Sequence, residues 1–89
     1  MWINPFMSVD VHLKYEGYIK QYDGPEGFTY AKNVGGGYIY IAEARKNPLG
    51  FGMRFYDPDF NDRAAWVTEK ELRLFSRKLK EWKEQYGVI

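Results

Sequence analysis

The sequence predicts an α+β fold: an antiparallel sheet of four to five strands, arranged as a meander, with one C-terminal amphipathic helix packed on one face. Three observations predict it. Between residues 9 and 67, short alternating apolar and polar runs are separated by turns rich in glycine, proline and aspartate. A capping signature, Thr68 with Glu71, then opens a stretch whose apolar residues recur at spacings of three and four. Finally, 89 residues with no linker, repeat or low-complexity segment make one small domain, residues 1–89.

Residues 1–8 form an apolar arm interrupted by Pro5, with Trp2, Ile3 and Phe6 placed to cover the core or to join a second copy as a homo-oligomer. From Val9 the pattern has period two: Val9, Val11, Leu13 and Tyr15 alternate with Asp10, His12, Lys14 and Glu16, which reads as a first strand with one buried face. Gly17 marks a bend or bulge before Tyr18 to Tyr22, and D-G-P-E-G at 23–27 is a turn. Phe28 to Val34 and Tyr38 to Lys46 read as strands joined by Gly35, Gly36 and Gly37. N-P-L-G at 47–50 turns the chain into Phe51 to Asp57, where Phe51, Met53 and Phe55 share one face and Arg54 and Tyr56 the other. D-P-D-F-N-D-R is a polar loop, and Ala64 to Val67 a short last strand. The helix covers residues 68–87: Leu72, Phe75, Leu79, Trp82 and Tyr86 make its apolar stripe, and Gly87 is placed to end it in a left-handed cap.

Composition narrows the function classes. With no cysteine, disulfides, thiolate metal sites and thiol catalysis are excluded, which fits a cytoplasmic protein. No basic region followed by a long apolar run marks a signal peptide, and no stretch reaches the roughly 20 apolar residues of a membrane span. The net charge of +1 suits neither a nucleic-acid mimic nor a general nucleic-acid coater. Aromatic residues are 19% of the chain, eight of them tyrosines, more than a small core needs; some of these rings are expected to face a partner.

The motifs that suggest chemistry do not hold up. A phosphate loop needs a helix after its glycines, because backbone amides and the helix dipole hold the anion together; Gly37 is followed by Tyr38 and a strand. The glycines instead supply the positive φ that a tight hairpin needs. Asp57, Asp59 and Asn61 resemble the start of a calcium loop, but Asp62 and Thr68 stand where glycine and a bidentate glutamate are required. His12 is the only histidine, and neither Ser8 nor Ser76 lies in a nucleophile motif. No catalytic residues, metal site or cofactor are assigned, and the chain reads as a non-enzyme.

Two surfaces remain as binding candidates. Lys70, Arg73, Arg77 and Lys80 form a basic row on the helix face away from the apolar stripe. On the sheet, the third strand buries either Tyr38 and Tyr40 or Ile39 and Ile41, depending on register. Burying the isoleucines gathers Tyr38, Tyr40, Arg54 and Tyr56 on the outer face, where rings beside a guanidinium suit a protein hot spot or base stacking.

Three strands followed by a capped helix, Tyr38 to Tyr86, resemble in layout the AP2-type and integrase-arm DNA-binding domains. That resemblance implies a sheet laid in the major groove, with Arg45, Lys46, Arg54 and Arg63 projecting from it. In size and character the chain is also similar to small phage or mobile-element accessory proteins, including anti-CRISPR and other anti-defence inhibitors, which act as stoichiometric binders. The expectation is a small non-enzymatic binding protein whose partner is another protein. DNA binding and a nucleotide-sequestering oligomer are the alternatives.

Overall fold

The computed structural model describes residues 7–87; the arm residues Trp2, Ile3 and Phe6 and the C-terminal Val88 lie outside the described residues. Seven elements and one 3-10 turn follow in order: α1 (Val9–Tyr15), β1 (Tyr18–Gly24), β2 (Gly27–Gly35), β3 (Tyr38–Asn47), β4 (Gly50–Asp57), the turn Pro58–Phe60, β5 (Arg63–Ala64) and α2 (Glu69–Tyr86). The strands form one antiparallel meander in the order β1-β2-β3-β4-β5. Both helices contribute to the core on one side of it, as the expected α+β layout requires.

Three tight connections make the meander. Gly24 pairs with Gly27, Gly35 with Tyr38, and Asn47 with Gly50, so each hairpin loop has two residues. At the middle one, Gly36 and Gly37 both have positive φ, 63° and 80°, the mirror-image turn that follows the twist of the strands. The glycine run is therefore a hairpin corner. Gly27 is a separate case. Its φ is 151°, and a Cβ there would lie 2.0 Å from the Ala44 carbonyl oxygen, so the strands approach too closely for any side chain.

Residues 9–15 are a helix and not the expected first strand. Ser8 caps it by accepting from the Val11 amide at 3.3 Å, and Val9, His12 and Leu13 point into the core. Val9 and Leu13 satisfy both periods, being two alternations and also one helical turn apart. Val11 and Tyr15, which the strand pattern would have buried, are exposed. His12 is correspondingly buried, where alternation had placed it on a polar face.

The C-terminal helix begins at its expected capping box: Glu71 N–H donates to Thr68 Oγ1 (3.1 Å) and Thr68 N–H to the Glu71 carboxylate (2.9 Å). Gly87 ends it in the left-handed conformation. The buried line is Glu71, Leu74, Phe75, Lys78 and Trp82, with Leu79 and Tyr86 at its margin. Leu72, expected in the stripe, is 50% exposed and lies roughly 90° around the helix from that line. The stripe was misplaced because two of the residues at its centre are charged. Lys78 is 5% exposed, donates to Asp23 at 2.7 Å, and sits 3.3 Å from Asp10. Glu71 takes Lys32 at 3.0 Å.

Around these ions lies an aromatic core. Tyr18, Phe28, Tyr30, Phe51, Phe55, Phe75 and Trp82 meet mostly edge-on or tilted, with centroids 4.7 to 6.3 Å apart. Trp82 Nε1 donates to the Gly24 carbonyl at 2.7 Å, so the ring is satisfied as well as buried. On β3 the residues under the helix are Ala42 and Ala44. Their small size leaves room for the rings of β2, β4 and α2.

Burial alone would raise the Asp10 carboxyl, but the Tyr30 hydroxyl (2.6 Å), Lys20 and Lys78 outweigh it and hold the pKa below the usual range. Glu71 behaves alike: burial raises it, while Thr68, Tyr18 and Lys32 bring it down further. Groups depressed in the folded state stabilise it above the unfolded carboxyl range and lose that contribution as pH falls through their folded values. Thermal melts should therefore weaken below about pH 4, and Asp10→Asn should remove part of that slope. A melting temperature unchanged between about pH 7 and pH 3 would contradict this reading. Separately, Gly27→Ala should destabilise the fold by about 2–3 kcal/mol in urea titrations; a wild-type midpoint would show that the β2–β3 approach can relax.

Candidate binding face

In an antiparallel pair, directly opposed residues project from the same face, so the register assigns every side chain to a side. Phe28, Ala44 and Met53 align on the helix side, as do Tyr30, Ala42 and Phe55. The other side has no element packed on it among the described residues. Its central row crosses all five strands: Ile19, Ala31, Ile41, Tyr56 and Ala64. Every member is apolar or aromatic. Ile19 is 67% exposed, Ile41 and Tyr56 are half-buried, and Ile39 stands two residues along β3 on the same side.

Next to it runs a polar row of Tyr22, Thr29, Glu43 and Arg54. Arg54 donates from Nε to Glu43 at 2.9 Å, and its guanidinium lies 4.0 Å over the Tyr56 ring, so it is held between a carboxylate and a π-face. The Glu43 hydrogen bond raises the Arg54 pKa further, and the group stays cationic. Beyond this row, Gly24, Gly27, Arg45 and Gly52 align. Arg45 thus has glycine on both sides. A hollow of about 420 Å³ borders it with Tyr22, Gly27 and Thr29, and another of about 200 Å³ with Gly52 and Arg54. Arg45 reaches the same Glu43 oxygen at 3.6 Å, so one carboxylate serves two guanidiniums.

The expected grouping of Tyr38, Tyr40, Arg54 and Tyr56 is corrected here. Arg54 and Tyr56 do share the open face, but their companions are Ile39 and Ile41. Tyr40 pairs with Lys32 on the helix side, and Tyr38, of the same alternation, packs its ring against Phe60 at 5.2 Å. The register follows from the neighbours. Ala42 and Ala44 continue the alternation of Tyr40, and only small residues fit beneath α2 and its rings; Glu43 and Arg45 continue that of Ile41 and require solvent.

The basic row on α2 is largely neutralised. Lys70 reaches Glu16 at 2.6 Å, Arg73 reaches Glu69 at 2.5 Å, and Arg77 reaches Glu81 at 3.2 Å while donating to the Met7 carbonyl at 3.0 Å. Lys80 alone of the four has no ion pair among the described residues. Near β5, Arg63 lies 4.4 Å over the Phe60 ring and 3.7 Å from Asp57. Asp57 is buried and accepts the Asp59 amide at 3.1 Å, so it caps the 3-10 turn. Among the described residues no cluster of three or more potential metal ligands occurs, and no helix is long and apolar enough to cross a membrane.

The apolar row Ile19–Ala31–Ile41–Tyr56–Ala64 went unseen in the sequence because its members come from five separate segments. The charges at 43 and 45 were the signal that could have revealed the β3 part of it. No protein-family model, curated protein or solved structure matches this chain.

Proposed function

We propose that the chain is a small non-enzymatic binding protein that holds another protein against the open face of its sheet. The observation that carries this reading is the uninterrupted apolar row across all five strands, on a face with no helix over it among the described residues. A row of this kind supplies the desolvated centre of an interface, and the Arg54–Glu43 pair beside it supplies a polar rim. Tyr56, stacked under Arg54, is the aromatic anchor of the surface.

Such a protein acts by occupying its partner's surface, in the manner of the stoichiometric inhibitors to which its size and composition compare. The state of the cations favours a protein partner over duplex DNA. Of the four basic residues expected to project into a groove, Arg45 and Arg54 share Glu43 and Arg63 lies near Asp57. Glu43 and Asp57 offset much of that charge, which leaves too little net positive charge for the run of successive phosphates on a duplex.

Affinity capture from host lysate identifies the partner, and the same partner then serves as the reagent. Ile41→Lys should weaken its capture by at least about 30-fold, the effect of losing a central hot spot. Because Ile41 lies opposite the core, the melting temperature should shift little. Full retention of the partner by the folded Ile41→Lys variant would sink the proposal, and so would tight, salt-sensitive duplex binding in place of protein capture.

A further inference from the structure

The sheet has two outer edges, and they differ. At β1 the register shifts between Lys20 and Tyr22, and Lys20 lies along the strand, ion-paired to Asp10. A bulge and a lysine are two of the devices by which edges resist strand addition. At the opposite edge, β5 is only two residues long and pairs with β4 at Tyr56 and Asp57. The last contact along it is Ala65 N–H to the Phe55 carbonyl, at 3.0 Å, after which the chain departs for α2. Since main-chain groups alternate sides along a strand, Phe51 and Met53 point their N–H and C=O the same way as Phe55. No hydrogen bond from the described residues reaches them on that edge. β4 is regular against β3 from Ile41 to Asn47, with no bulge, and over that paired stretch, Gly50 to Tyr56, Arg54 is its one charge.

We propose that the free edge of β4, Gly50 to Arg54, takes an added strand from the partner protein, and that the strand carries an acidic residue between two apolar ones. The inference rests on the protein-binding reading above and names what that partner must present. A strand laid in line with β5 lies about 4.8 Å from β4, and its residue opposite Gly52 projects on the open face. Gly52 has no side chain to stand between that residue and Arg45, its neighbour on β3. Arg54 lies diagonally within reach of the same position. Two guanidiniums that share one Glu43 oxygen thus face the 200 Å³ hollow, and a carboxylate there completes their pairing. The residues on either side of the acidic one fall opposite Phe51 and Met53, on the helix side. There the half-buried Phe51 and Met53 side chains offer apolar contact at the edge of the core. Main-chain hydrogen bonds supply affinity and the alternation supplies specificity.

The test uses two blocked peptides of alternating valine and threonine, one with glutamate at the central outward position and a twin with glutamine. Titrated into isotope-labelled full-length protein, the glutamate peptide should protect the Phe51 and Met53 amides from hydrogen exchange. It should bind about tenfold more tightly than its twin. Arg45→Glu should abolish or invert that preference. Gly52→Val should block binding while the fold persists: the Gly52 φ is not in the left-handed region, and the nearest atom to an added Cβ is the Asn47 side-chain nitrogen, at 3.0 Å. If Gly52→Val melts early, Arg45→Glu, whose side chain is exposed, carries the test. Equal affinity for the twins would overturn the acidic requirement. Peptide contact at Ile41 and Tyr56 with unprotected Phe51 and Met53 amides would overturn strand addition yet leave the open-face reading standing. Binding of an oligothymidylate at Arg45 and Arg54, with neither peptide bound, would assign the hollow to nucleic acid and overturn the proposal.

Discussion

The placement of Lys78 constrains everything else in this molecule. Its ammonium is buried between α2 and the sheet, bonded to Asp23 of β1, close to Asp10 of α1, and about 5.7 Å from the Phe28 and 5.8 Å from the Tyr30 ring centre of β2. Four elements therefore converge on one charge. Burying an ion is costly, and the cost is recovered only where its partners are correctly placed. One Asp23 oxygen has no hydrogen bond of its own, and the Lys78 and Lys20 ammoniums at the other oxygen offset that loss. An ion pair of this kind adds little net stability compared with apolar packing. Its larger effect is to penalise any sliding of α2 along the sheet, because a shifted helix strands the charge.

With α2 held in that register, the division of labour between the faces follows. Phe75 and Trp82 descend onto Tyr18, Phe28, Tyr30 and Phe55, and the Trp82 indole finds the Gly24 carbonyl. This fills the centre of the helix side and draws α1 to the same side through Val9 and Leu13. Both helices of the described residues are then used, and neither lies on the other face. Among the described residues, the apolar row of Ile19, Ala31, Ile41, Tyr56 and Ala64 stays open as a consequence of how the core is built. The short β5 extends the same logic to the edge. The chain leaves after Ala65 to reach the Thr68 cap, and most of the outer edge of β4 is left without a strand beside it among the described residues.

Local chemistry explains which elements could be read from the sequence. The α2 capping box and its Gly87 terminus are complete within a few residues, and so are the three two-residue turns with their glycines, prolines and asparagine. The 9–15 segment misled because seven residues are too few to separate a period of two from one of 3.6. The Ser8 cap that separates the two readings shows in the structure, and the alternation of Val9, Val11, Leu13 and Tyr15 points the other way. Leu72 misled for a different reason: an apolar stripe drawn without Glu71 and Lys78 is rotated, since hydropathy cannot foresee that a charge will be buried with its partner.

The amino-acid sequence by itself determined the antiparallel meander, the capped C-terminal helix, the hairpin at Gly36 and Gly37, and the opposite directions of Phe55 and Tyr56. Each of these follows from backbone preference or from alternation within a single segment. Tertiary structure alone decided which face of β3 meets the helix, that Arg54 and Tyr56 stand with Ile39 and Ile41 and not with Tyr38 and Tyr40, and that Arg45 has glycine on either side. Those relations join residues from separate strands. Cross-strand register and the volume left beneath α2 set them, and neither quantity exists until the strands are paired.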